Sequence, residues 1–193
     1  MLIDIIKQSN WVDIFVIILF FRICYISYKT GFSISLFKLL GTLAALYLAM
    51  HYYTWVSDLL TKVFSLKAFP LEFLDFLCFV FLVLFGYLIF VFLRMLLNRF
   101  MRMEALPSFN NWVGLLLGAG RGILVVALFV FMMVISTVSY LKKSIVTSYI
   151  GPRIFEIAPD TYSWIWGNIV SKFAVTETYN QAVSEIEKDF VNQ

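Results

Sequence analysis

Apolar residues run almost unbroken through four stretches of the chain: Trp11 to Tyr28, Ser33 to Tyr53, about Phe73 to Leu97, and about Trp112 to Leu141. A helix of about 20 apolar residues crosses the roughly 30 Å hydrocarbon core of a bilayer, so each stretch predicts a membrane span. The first run is not read as a signal peptide, because Arg22 interrupts it and no small-residue cleavage site follows. Only "YKTGF" (28–32) separates spans one and two, which predicts a helical hairpin with its turn at Gly31.

The longer links have patterns of their own. Trp55, Val56, Leu59, Leu60, Val63 and Phe64 recur at helical spacing, as in a short helix lying in the membrane interface between spans two and three. The link "NRFMRMEALPSFNN" is basic at one end and carries Pro and cap residues at the other. After Lys143 the pattern becomes amphipathic. Tyr162, Ile165, Trp166, Ile169, Val170 and Phe173 form one stripe on a helix begun by Pro159-Asp160, and Tyr179, Val183, Ile186 and Phe190 form a second. The expected fold is therefore all-α. Residues 1–143 form a polytopic four-span membrane domain, and residues 144–193 an amphipathic acidic tail too polar to span, which packs on the bundle or on a partner.

Composition supports the membrane assignment. Of 193 residues, 62% are hydrophobic and 14% charged, far from the balance of an ordinary soluble domain. The net charge of +3 conceals a split: 12 Lys/Arg against 6 Asp/Glu up to residue 143, then 3 against 6. A basic body with an acidic tail does not suit nucleic acid. The basic residues set inside the apolar runs (Arg22, Lys38, Arg94, Arg121) lie toward the short-turn side, whereas Asp13 and Asp75 lie toward the other. That asymmetry predicts a cytoplasmic turn and both termini outside.

Within the spans, three groups of residues stand out. Gly114, Gly118 and Gly122 follow at i, i+4, i+8 and share one helix face, as do Gly41, Ala45 and Ala49 on span two. In lipid such small-residue faces let backbones approach, so spans two and four are expected to cross along them. Arg121 sits in "LGAGRGIL", either on a helix begun at Trp112 or at the end of a glycine-loosened lead-in. It approaches the same side of the membrane as Arg22. The pair either snorkels to headgroups or lines a vestibule that grips a lipid phosphate or another anion. Asn10 with Asp13 three residues on reads as a helix start, stabilised by the macrodipole.

The usual signatures of chemistry are missing: no phosphate loop, no paired Cys/His ligands and no nucleophile elbow. Cys24 and Cys78 fall in apolar runs, and His51 in "MHYYTW" reads as part of an interfacial aromatic belt. No enzyme, metal or cofactor is expected.

The chain resembles the colicin V production protein (CvpA) family. The resemblance rests on "NWVDIFVIILFFR", "KTGF" with Gly31, "LFKLLGTLAALYLA" with Gly41, "VGLLLGAGRG", and "SYIGPRI" with Ser148 and Pro152, in the family's order and spacing. It implies a four-span bacterial inner-membrane protein associated with production or export of a peptide toxin and with envelope processes. The expected role is that of an accessory protein working through contacts with the bilayer, with other envelope proteins or with its own copies. The alternative is a small oligomeric transporter or channel for an anionic solute, with Arg22 and Arg121 as its lining.

Overall fold

The computed structural model describes residues 10–64, 70–98, 107–174 and 177–191. Among these every regular element is helical: α1 (Trp11–Phe64), α2 (Leu71–Asn98), α3 (Pro107–Ile135), α4 (Ser139–Val146), α5 (Gly151–Ile165) and α6 (Gln181–Val191). A wider turn at Trp166–Val170 and a last helical turn at Ser171–Phe173 extend α5. Among the described residues, three helices are long and apolar enough to cross a membrane: Trp11–Val63, Leu71–Leu93 and Asn110–Ile135.

α1 is broken at one residue. Gly31 has φ 75° and ψ −177°, outside any helix and in the left-handed range that residues with a Cβ rarely adopt. The chain reverses there, as the contacts of α3 reveal. Gly114 abuts Ser27 and Gly31, Gly118 abuts Ser27 and Cys24, and Gly122 abuts Phe20 and Ile23, so α3 runs antiparallel to the limb before Gly31. Along the limb after it, Asn110 meets Phe32 and Arg121 meets Thr42, in parallel order. Both limbs thus flank one length of α3, and α2 covers the second limb.

This arrangement corrects the expected pairing of small-residue faces. Gly114, Gly118 and Gly122 do bring two backbones together, but against the first limb of α1. Gly41 receives Phe90 of α2, and Gly86 of α2 lies against Ala45. Ala45 and Ala49 are buried in the core. Spacing defines which residues share a helix face but not which helix covers that face.

Other boundaries also differ. Residues 54–64 are helical, as their spacing predicts, but they continue α1 without a break and form no separate element. No glycine or proline occurs between Gly41 and Phe64 to end the helix. The segment 112–121 is helix throughout, and α3 stops at Ile135, short of the predicted Leu141. Ser136, Thr137 and Ser139 follow, residues whose hydroxyls compete for helix backbone bonds; the Ser136 hydroxyl donates to the Met133 carbonyl at 2.7 Å. α5 starts at Gly151, with Pro152 in its first turn and Pro159 inside it, so Pro159-Asp160 is not a helix start.

One apolar core runs through the spans and the tail. Val12, Leu46, Phe79 and Phe131 join Phe155 of α5 and Val183 and Phe190 of α6 in it, and the Phe155 and Phe190 rings stack 4.1 Å apart. The second predicted tail stripe is therefore turned inward on the chain's own bundle. The first is divided: Tyr162 is buried, whereas Ile169 and Phe173 face outward.

A Cβ at Gly114 would lie 2.8 Å from the Gly31 carbonyl carbon and 2.8 Å from the Ser27 carbonyl oxygen, backbone atoms that cannot move aside cheaply. Gly114→Ala is expected to cost about 1–3 kcal/mol. Gly120→Ala, which meets nothing within 4 Å, should leave stability unchanged or slightly raised. Thermal melts by circular dichroism in mild detergent compare the two; a Gly114→Ala melt matching wild type would contradict the close approach.

Candidate functional site

Two polar knots hold the end of the bundle away from Gly31, and Arg121 lies between helices with Thr42 and Tyr87 as hydrogen-bond partners. The first knot begins with the predicted helix start. The Asn10 side-chain oxygen accepts the Val12 N–H at 2.8 Å, and Asp13 accepts the Asn10 N–H at 2.9 Å, a reciprocal cap. Asp13 does more than the sequence indicates. Its carboxylate, 2% exposed, also accepts the N–H groups of Tyr149 at 3.2 Å and Ile150 at 2.8 Å, just ahead of α5. One acid therefore serves two helix N-termini, where negative charge is favoured. The Asn10 amide donates to the Ser144 carbonyl at 2.6 Å and closes the knot onto α4.

The second knot centres on His51, which is 8% exposed and not a belt residue. Its ring stacks between Tyr47 and Trp166. His51 Nδ1 lies 2.8 Å from the Tyr162 hydroxyl, and Nε2 lies 3.3 Å from Glu177. The direction of the proton chain follows from its end. Asn180 N–H donates to the Tyr162 oxygen at 3.0 Å, which leaves that hydroxyl to donate to Nδ1. The neutral ring then carries its proton on Nε2 and donates it to the carboxylate. Burial pushes the Tyr162 phenol up to about 12, so it remains a donor at ordinary pH. Tyr52 donates to the other Glu177 oxygen at 2.8 Å, and the Asn180 amide donates to the Met50 carbonyl at 2.8 Å. A cavity of about 460 Å³ opens beside this network, lined by His51, Tyr52, Trp55, Glu177, Tyr179 and Asn180 among others.

Arg121 lies between α1, α2 and α3. Its Nε donates to the Thr42 hydroxyl at 3.3 Å and its Nη2 to the Tyr87 hydroxyl at 3.2 Å, with the guanidinium carbon 5.5 Å from the Tyr87 ring centre. Arg22 does not join it. Its side chain is exposed on the outer face of the first limb, with Ile18, Phe21 and Tyr25. Of the two readings of this pair, the shared vestibule is not formed, because the glycine side of α3 presses on the opposite face of that limb, at Phe20, Ile23 and Cys24. Gly31 closes the far end: Asn110 seals the reversal by accepting the Phe32 N–H at 2.7 Å.

By sequence alone His51 falls to a belt and Tyr162 to an apolar stripe, and Glu177, Asn180, Thr42 and Tyr87 have no role at a site. Asn180 alone had a readable signal, a cap residue before the apolar stripe of α6, and its side chain accepts the Ala182 N–H at 3.2 Å. Among the described residues no group of three or more His, Cys, Asp or Glu is placed to hold a metal.

Asp13→Ala leaves three backbone N–H groups without their acceptor. Opening around Tyr149 and Ile150 should become easier by about 2 kcal/mol or more, roughly a 30-fold rise in amide exchange there. Asp13→Asn, which keeps one acceptor oxygen, should give a smaller rise. Hydrogen exchange read by mass spectrometry checks this; unchanged protection in Asp13→Ala would remove the knot from the fold's supports.

The sequence profile of the colicin V production protein family matches residues 12–159, which takes in Asp13, His51 and Arg121 but ends before Tyr162, Glu177 and Asn180. No curated protein and no solved structure matches the chain.

Proposed function

The chain belongs to the colicin V production protein family, and from that premise we propose a non-enzymatic accessory protein that crosses a bacterial inner membrane four times and works through contacts of its outer surface. The observation that carries this reading is the filled interior. Leu46, Met50, Tyr53, Phe79, Val130 and Phe131 are each at most 1% exposed, and the tail adds Phe155, Tyr162 and Val183 to the same core. With the centre occupied by the protein's own side chains, the outward faces are what remain to do work.

The four crossings are the two limbs of α1, then α2 and α3. Basic residues at the Gly31 end support a cytoplasmic turn and termini on the outside. Of the charges that bear on this, Lys7, Lys67, Arg99 and Arg102 lie outside the described residues. On the tail, Trp164, Ile169 and Phe173 stay outward, with Phe173 85% exposed. We take this edge as the docking surface for another envelope protein or a second copy. Through it the chain would assist production or export of a colicin V-like bacteriocin, or maintenance of the envelope. A transporter for an anionic solute has less support, since its motive was a shared site for Arg22 and Arg121.

A photocrosslinking residue at position 173 should give a discrete protein adduct in intact membranes, whereas one at Tyr25, exposed on the first limb, should give mainly lipid adducts. If position 173 also yields lipid alone, the edge is a membrane anchor and the docking reading falls.

A further inference from the structure

We propose that the crevice between the second limb of α1, α2 and α3 binds the alkyl chain of an anionic amphiphile whose head is held by Arg121. The crevice holds about 260 Å³ and is walled by Val83, Leu84, Leu128, Phe129 and Met132, with Thr42, Tyr87 and Arg121 gathered at one end. That end lies toward the Gly31 reversal. From Arg121 to Met132 the apolar wall extends roughly 16 Å along α3. Polar at the level of Arg121 and apolar toward the middle of the bundle, the crevice has the polarity of a lipid leaflet.

The charge of the occupant follows from what Arg121 lacks. A guanidinium carries five N–H donors. Thr42 and Tyr87 take two of them, and both are neutral acceptors. Among the described residues no carboxylate forms an ion pair with Arg121. An uncompensated cation inside a span is costly, and the donors that remain form the planar fork that suits a carboxylate or phosphate head. The chain of the occupant follows from the wall. Water can satisfy a guanidinium, but it gains nothing from a lining of Leu, Val, Phe and Met. The volume exceeds the ~150 Å³ that accepts a benzene ring, room for part of one alkyl chain whose end would leave by the open mouth at Leu84.

The test is native mass spectrometry of the full chain in mild detergent. It is titrated with palmitate, with glycerol monopalmitate, whose head is uncharged, and with inorganic phosphate. Palmitate should bind saturably, one per chain, and more tightly than the neutral ester. Arg121→Gln should weaken palmitate about tenfold or more, the value of a charge-assisted hydrogen bond pair. Leu84 lies at the exposed mouth, so Leu84→Trp obstructs the crevice without entering the core and should weaken palmitate as well. Circular dichroism checks that both variants fold. Palmitate binding unaffected by Arg121→Gln, or a neutral ester that binds equally well, would overturn the assignment. Phosphate binding lost in Arg121→Gln but kept in Leu84→Trp would assign Arg121 to a free anion instead, and the alkyl site would fall.

Discussion

The bundle depends on one reversal of direction. At Gly31 the chain takes a backbone conformation that no side chain favours, and Asn110 fills the space where a Cβ would stand. Packed against α3, the backbone at the turn is shielded from water, and an N–H left there without a partner would be costly. Asn110 supplies that partner by accepting the Phe32 N–H. The same contact sets the register of α3 against both limbs, because α3 is pinned at its start and can then only run alongside them. The glycine approach to Ser27 and the meeting of Arg121 with Thr42 both follow from that register.

The opposite end is held by polar groups drawn from distant parts of the sequence. Asp13 ties the start of α1 to α5, and the Asn180–Tyr162–His51–Glu177 chain ties the middle of α1 to the tail. Each works because its donors and acceptors are used up within the network, as buried polar groups require. The apolar core between the two ends gives cohesion, whereas these knots give orientation. A tail held only by Phe155 and Phe190 could slide; one whose Asn180 also bonds the Met50 carbonyl cannot.

What was legible in the sequence was local. Hydropathy located the long apolar helices, three of which, among the described residues, are long enough to cross a membrane, since length and apolarity are properties of a contiguous run. The Asn10–Asp13 cap was legible for the same reason, its partners being two and three residues apart. Gly31 was legible as a turn because so little chain separates two spans. Partner choice was not legible. The face formed by Gly114, Gly118 and Gly122 could be read, but which helix would cover it depended on the fold of the hairpin. His51 was misread because "MHYYTW" has belt composition, while its real environment is supplied by residues 162–180. Arg22 and Arg121 were equal in sequence depth, yet rotation about their helix axes separated them. The end of α3 at Ile135 was obscured because Val138 and Tyr140 keep the stretch apolar past the break.

The double use of Asp13 has a consequence for how the protein is made. The first limb leaves the ribosome early, but its carboxylate meets Ile150 only after another 137 residues have been added. At about 5–20 residues per second that interval is roughly 7–27 s. Until then the carboxylate has only the Asn10 N–H of its own helix start, and the N–H groups of Tyr149 and Ile150 complete its set of donors. A chain truncated before residue 149 keeps only the local cap between Asn10 and Asp13. Asp13 thus ties the start of the first limb to a segment synthesised long after it, so the cap it gives to α5 is necessarily a late event.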